Sequence, residues 1–167
     1  MPQQIETIEE FVGLVELRDL YVFEERARRK EVEPPTDGEE VEPEVNSALG
    51  VADAVWGDSA AIGFRFRMVF DTRAGAEFVA DMEARYTLPE GCSVTEGVKE
   101  EFATRVAFMT VYPYLRASIQ TMAMRLGVPA PVLGIVRQGE LQVGEKFGSE
   151  RVAEMFPAED AEKEIHH

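Results

Sequence analysis

The chain is poor in the residues that do chemistry. Of 167 residues, one is cysteine (Cys92) and two are histidine, both at the very end. A single cysteine excludes an intramolecular disulfide. Without an internal histidine there is no Cys–His or Ser–His nucleophile pair in the body of the chain, and no His/Cys cluster for zinc. The glycine-rich and serine signatures of dinucleotide, P-loop and hydrolase sites are missing as well. These gaps predict no catalytic residue, no metal and no cofactor. Positive charge is scarce: 17 Lys and Arg stand against 32 Asp and Glu, a net charge of −15. Such a chain repels phosphate backbones and anionic lipid, so no nucleic-acid partner and no direct membrane insertion are expected. The longest nearly unbroken apolar run, "VAFMTVYPYL" at 106–115, is too short to span a bilayer. The start, "MPQQIETIEE", carries acids where a secretory leader needs bases. A cytoplasmic protein is the expectation.

What is present reads as one folded domain. Apolar residues make up 45% of the chain, enough for a core at this length. Residues 1–12 read as a flexible acidic lead, 13–156 as the domain, and 157–167 as an acidic, disordered tail. Residues 13–29 are rich in β-formers and predict a first strand. Residues 31–44 hold seven acids, three prolines and no base, a solvated loop. A second strand is expected over 45–57. Two clearer strands follow, each with period-two alternation. In the third, Ile62, Phe64, Phe66, Met68 and Phe70 share a dry face, with Arg65 and Arg67 opposite. In the fourth, Ala76, Phe78, Ala80, Met82, Ala84, Tyr86 and Leu88 share that face. Glu77, Val79, Asp81, Glu83 and Arg85 form its wet side, on which Val79 is an apolar spot ringed by acids.

"SVTE" at 93–96 fits a capping box with Ser93 as the cap. The helix after it carries Pro113, which cannot bond the carbonyl of Met109, so a kink or a fresh helix start is expected there. Tyr112, Leu115, Ile119, Met122 and Leu126 then form a stripe, ended by Gly127. The loop at 128–136, "VPAPVLGIV", is apolar enough to need a partner. Phe147, Val152, Met155 and Phe156 suggest a short last helix. The expected fold class is α+β: a four-stranded antiparallel sheet, a long kinked helix and a short C-terminal helix.

The "YPYLR" helix followed by "GVPAPVL", with "RDLYVFEE" (18–25), "PEV" (43–45) and "AEFVADMEA" in the strands, resembles the SecB family of export chaperones over roughly residues 14–135. It looks closest to the SecB-like proteins of high-GC bacteria, some of which accompany toxin–antitoxin pairs. The resemblance implies a homotetramer, built as a dimer of dimers, that holds unfolded polypeptide clients without ATP. It implies docking of the export motor SecA, or of an antitoxin client. Carried over by position, Asp19, Glu24, Val79 and Asp81 would form the docking face. Val45, Leu49 and Val51 would line one wall of a polypeptide-binding groove. Leu126, Val128, Val132, Leu133, Ile135, Phe147 and Met155 would form the other. Ser47 stands where the family has a groove leucine, and the family's tryptophan before the second strand is replaced by Val41 or Glu42.

Two further readings of the same residues compete. One is an interaction or inhibitor protein on this scaffold, without holding activity. The other is a small enzyme working through the carboxylate pair Asp81 and Glu83, which lie two apart on one strand face. In so acidic a chain a solvated sheet face explains that pair better.

Overall fold

Strict alternation in two neighbouring strands sets the frame. β4 (Ser59–Thr72) and β5 (Ala76–Thr87), in their order along the chain, pair antiparallel, with Phe64 opposite Ala84 and Phe66 opposite Met82. In the computed structural model, which describes residues 3–31, 44–56, 59–72 and 75–131 (backbone only at 44–48 and 52–56), they are the central strands of a four-stranded antiparallel sheet. Gly75 makes their turn possible: its φ of 97° lies where a side chain would be strained. β2 (Glu16–Arg29) lies along β5 and forms one edge; β3 (Glu44–Trp56) lies along β4 and forms the other. The pairing of β2 is interrupted between Leu17 and Asp19 and again between Val22 and Glu24. Such bulges re-aim side chains and blunt an edge.

One face of the sheet is dry. Ile62, Phe64, Phe66, Phe70, Phe78 and Met82 are buried beneath a helical rod, as the alternation requires. The rod consists of α2 (Glu96–Phe102), a five-residue π-turn at Ala103–Ala107, and α3 (Phe108–Leu126). Phe102 meets Phe64 and Tyr86 with ring centroids 5.1 and 5.0 Å away, and Phe108 meets Phe66 at 5.4 Å. Each buried ring contributes roughly 1.5–3 kcal/mol. Leu115, Ile119 and Met122 are buried on the expected stripe, with Tyr112 and Leu126 partly buried against the same core. Arg29 donates from Nη2 to the carbonyl of Leu126, tying the end of β2 to the end of the rod. Gly127, with φ 64°, closes α3, and Val128 N–H returns to the Ala123 carbonyl at 3.1 Å.

Several expectations are corrected. The lead is not frayed: β1 (Gln3–Ile5) pairs parallel with β6 (Cys92–Val94), and α1 (Ile8–Leu14) follows. Ile5 and Phe11 are fully buried, and Phe11 packs on Phe102 at 4.6 Å. Two buried apolar side chains outweigh the acidity around them. The first strand therefore starts at Glu16, after a helix capped by Thr7, whose hydroxyl accepts the N–H of Glu10 at 3.3 Å. Ser93 is no cap: it lies in β6, and Thr95 takes the cap position of α2, without a side-chain hydrogen bond there. No new helix starts at Pro113, which lies inside α3. It lies on the exposed side of the helix. The change in winding comes earlier, at the π-turn. The acidic 32–43 loop, the short C-terminal helix and the acidic tail lie outside the described residues.

Candidate functional site

The wet face of the sheet is closed by its own charges. Arg65 donates from Nε and Nη2 to the two oxygens of Asp81, both at 2.8 Å. Arg67 reaches Asp81 at 3.1 Å and also pairs with Glu24. Glu83 is bound by Arg85, with Nε to Oε1 at 2.8 Å. Two aromatic rings of β2 cover the guanidinium groups. Phe23 lies 3.9 Å from Arg65, and Tyr21 lies 4.3 Å from Arg85. The bulge beside Val22 turns Phe23 to this face.

The expected docking residues fare unevenly here. Asp19 and Glu24 stay at the surface. Asp81 is fully buried and Val79 is 1% exposed, so neither is the open spot the sequence suggested. The reason is cross-strand: in register, Val79 is flanked by Arg26 and Val69, and Asp81 by Glu24 and Arg67. Arg65 and Arg67, both on β4, neutralise Asp81, and Arg67 also ties it to Glu24 of β2. The Asp81–Glu83 pair has no free carboxylate geometry for acid–base work, since both groups are held by arginine.

The opposite face carries a groove. It runs between edge strand β2 and α3, with Met82 at its floor and Leu20 and Val22 along one wall. Tyr114, Ser118 and Met122 form the other wall, and the space is about 270 Å³. Val22 is 53% exposed and Tyr114 56%, large for apolar side chains on a folded surface. Met124 of the same helix is 75% exposed. Ser118 is buried, and its Oγ is the buried side-chain polar atom without a hydrogen-bond partner among the described residues. Glu25 and Arg125 line the groove with opposite charge.

Part of the expected polypeptide-binding set lies among the described residues. β3 is the edge strand farthest from β2. Val45, Leu49 and Val51 sit on it in register with Phe70, Phe66 and Phe64. Leu49 is partly buried against the core, while Val51 is exposed. Leu126 and Val128, at the end of the rod, are partly buried against that core. Val132, Leu133, Ile135, Phe147 and Met155 lie outside the described residues. Most of the second expected wall thus lies outside the described residues, and its described part, Leu126 and Val128, packs against the core. The groove that the structure does form was missed, because Val22 and Tyr114 look ordinary in sequence. The available signal was Val22 on the inner parity of an edge strand, facing a helix that cannot cover its full length.

Among the described residues no group of three acids, cysteines or histidines is placed to hold a metal ion, and no helix is long and apolar enough to cross a membrane.

No family model matches the chain. The SecB-like chaperone SmegB of Mycolicibacterium smegmatis is 33% identical over 145 residues, covering 86% of this chain and 90% of that one. Among solved structures, the Mycobacterium tuberculosis SecB-like chaperone Rv1957, in complex with a ChAD peptide from the HigA1 antitoxin Rv1956, superposes with a TM-score of 0.59. It is 19% identical, over 77% of this chain and 92% of that one, and supports the fold. Sheet, rod and relatives together place the chain among the molecular chaperones. Within them it belongs to the SecB-like chaperone family, as the sequence resemblance implied.

Proposed function

We propose that this chaperone is an ATP-independent holdase with a dedicated client, an antitoxin, rather than a general carrier for export. It works in the cytoplasm as a homotetramer. The observation that carries this reading is the groove beside β2, where Val22 and Tyr114 stay more than half exposed. Apolar surface of that kind holds unfolded polypeptide through buried area, about 25 cal/mol per Å² removed from water. Ordering the client offsets part of that gain, and repeated weak sites on several copies restore it through avidity. The relative solved with an antitoxin peptide favours the client class. The wet face favours it too. A motor such as SecA, docking on acids, would find Asp81 buried and Glu24 already paired with Arg67. Asp19 and Glu24 remain the surface positions for any docked partner, and Val45, Leu49 and Val51 would extend the client surface at the far edge.

Light scattering tests this. The purified protein should suppress aggregation of its antitoxin at a few copies per client, and native mass should read four chains. An antitoxin gene beside the chaperone gene identifies the client to use. Protein that leaves aggregation untouched while still binding one partner stoichiometrically would support the inhibitor reading instead.

A further inference from the structure

The N-terminal unit presents a surface of its own, and α1 supplies no residue to the groove beside β2. Phe11 seats α1 on Phe102, and the β1–β6 pairing holds the strand before it, so this unit is packed onto the core. Where α1 passes into β2, three apolar side chains nonetheless stay in water within six residues. Val12 is 49% exposed, Leu14 38% and Leu17 47%. Between the first two, a Cβ on Gly13 would meet nothing within 4 Å, so a partner's main chain can come close there. Acids frame this apolar ground. Residues 1–17 hold four glutamates and no lysine or arginine. Glu6 and Glu9 are exposed and pair with no group among the described residues. Glu10 accepts a neutral hydrogen bond from Gln3 Nε2 at 2.9 Å, and Glu16 meets the exposed Arg18 at 3.2 Å.

Charge decides what fits. Exposed apolar side chains framed by unpaired carboxylates complement apolar side chains that stand between lysines or arginines, whose charges relieve the repulsion among the glutamates. The chain's own segments outside the described residues do not match. Residues 32–43 carry five acids and no base, and residues 132–167 carry eight acids against four lysines and arginines. A second copy placing the same patch on a two-fold axis would set Glu6 and Glu9 against their own equivalents. The basic apolar surface that a copy could offer instead, Met124 and Arg116 with Tyr114 and Arg125 on α3, includes two residues that already line the groove beside β2.

We propose that the junction of α1 and β2, from Val12 to Leu17, is a docking surface for a basic segment of a partner protein, in which large apolar side chains lie between lysines or arginines. It is a second interaction site, and the reading of the groove does not depend on it. Apolar burial supplies the affinity, and the glutamates select and steer the charge.

The test is an NMR titration of the full chain with three glycine–serine host peptides. One carries a central Leu-Leu pair with two lysines on each side, one the same pair between glutamates, and one a Ser-Ser pair between lysines. The first should shift the amides of residues 12–17 and bind about tenfold tighter than either other peptide. At about 1 M salt, where the screening length falls to roughly 3 Å, that advantage over the glutamate peptide should vanish. Val12→Ser should weaken the first peptide about threefold to tenfold. The double change Glu6→Lys and Glu9→Lys should reverse the preference between lysine and glutamate flanks. All three positions are exposed, so the core is untouched. Equal binding of the lysine- and glutamate-flanked peptides, or shifts confined to Leu20, Val22 and α3, overturns the proposal. So does a Val12→Ser protein of smaller native mass than the unaltered chain, because a second copy would then be the occupant.

Discussion

Arg65 grips Asp81 with two parallel hydrogen bonds of 2.8 Å while its other face lies 3.9 Å from the Phe23 ring. A fully buried carboxylate is thus satisfied from the neighbouring strand, and a guanidinium is shielded by a ring from a third strand. Three strands depend on one pair. Removing one partner of a buried pair typically costs about 3–5 kcal/mol. Asp81→Asn keeps the shape and part of the hydrogen bonding, so a loss of about 3 kcal/mol is expected, read as a lowered urea midpoint. Aggregation suppression by the folded protein should survive, because Asp81 does not reach the groove.

Gly63 supports the same face from beneath. A Cβ there would stand 2.7 Å from the Glu83 carboxyl carbon, with both carboxylate oxygens within 3.0 Å. Gly63→Ala must push Glu83 away and disturb its pairing with Arg85, at a cost of about 1–2 kcal/mol. Combined with Glu83→Ala, the added cost of the alanine at 63 should shrink, since the atoms in conflict are gone. A chemical-denaturation double-mutant cycle measures it; strict additivity would contradict the packing.

Phe11 anchors the N-terminal segment. It is fully buried and sits 4.6 Å from Phe102, which contacts Phe64 and Tyr86 in turn. Phe11→Ala should cost about 3–4 kcal/mol, the range for emptying a buried aromatic site. Protection of the β1 and β6 amides in hydrogen exchange should fall further than that of β4. A change without effect on stability would mean that the segment is not part of the core.

Alkaline pH should weaken the fold through Tyr86. Burial raises its pKa above the ordinary value, and its hydrogen bond to Thr110 at 3.0 Å only partly opposes this. The folded state keeps the phenolic proton when the unfolded chain has already lost it. The contribution is therefore complete below pH about 10, the unfolded value, and is lost as pH rises towards the folded one. Tyr112, also raised mainly by burial, adds in the same direction. Tyr86→Phe should flatten the fall in urea midpoint between pH 9 and 11. Thr110 would keep its bond to the Val106 carbonyl at 3.1 Å.

The sheet was legible because β4 and β5 alternate without a break and one face of each is dry. The stripe of Leu115, Ile119 and Met122 was legible because burial repeats with the helical period. The family likeness was carried by a few spaced residues around Pro113. The N-terminal unit was hidden, since its two buried side chains, Ile5 and Phe11, are outnumbered locally by acids. Val79 was misread because strand parity tells which face a residue is on, not what its neighbours in the next strands do there.

The amino-acid order alone determined the periodic parts of this chaperone: which strands and helix form, which side of each is apolar, and that no nucleophile–histidine pair or zinc ligand set stands within its body. These follow from contacts two to four residues apart, which sequence spacing encodes directly. Tertiary structure alone decided that Arg65 and Arg67 silence Asp81, that Phe11 closes the core, and that β2 and α3 leave a groove around Ser118. Each of those depends on which strands become neighbours, and pairing between residues 16 to 97 positions apart leaves no periodic mark in the chain.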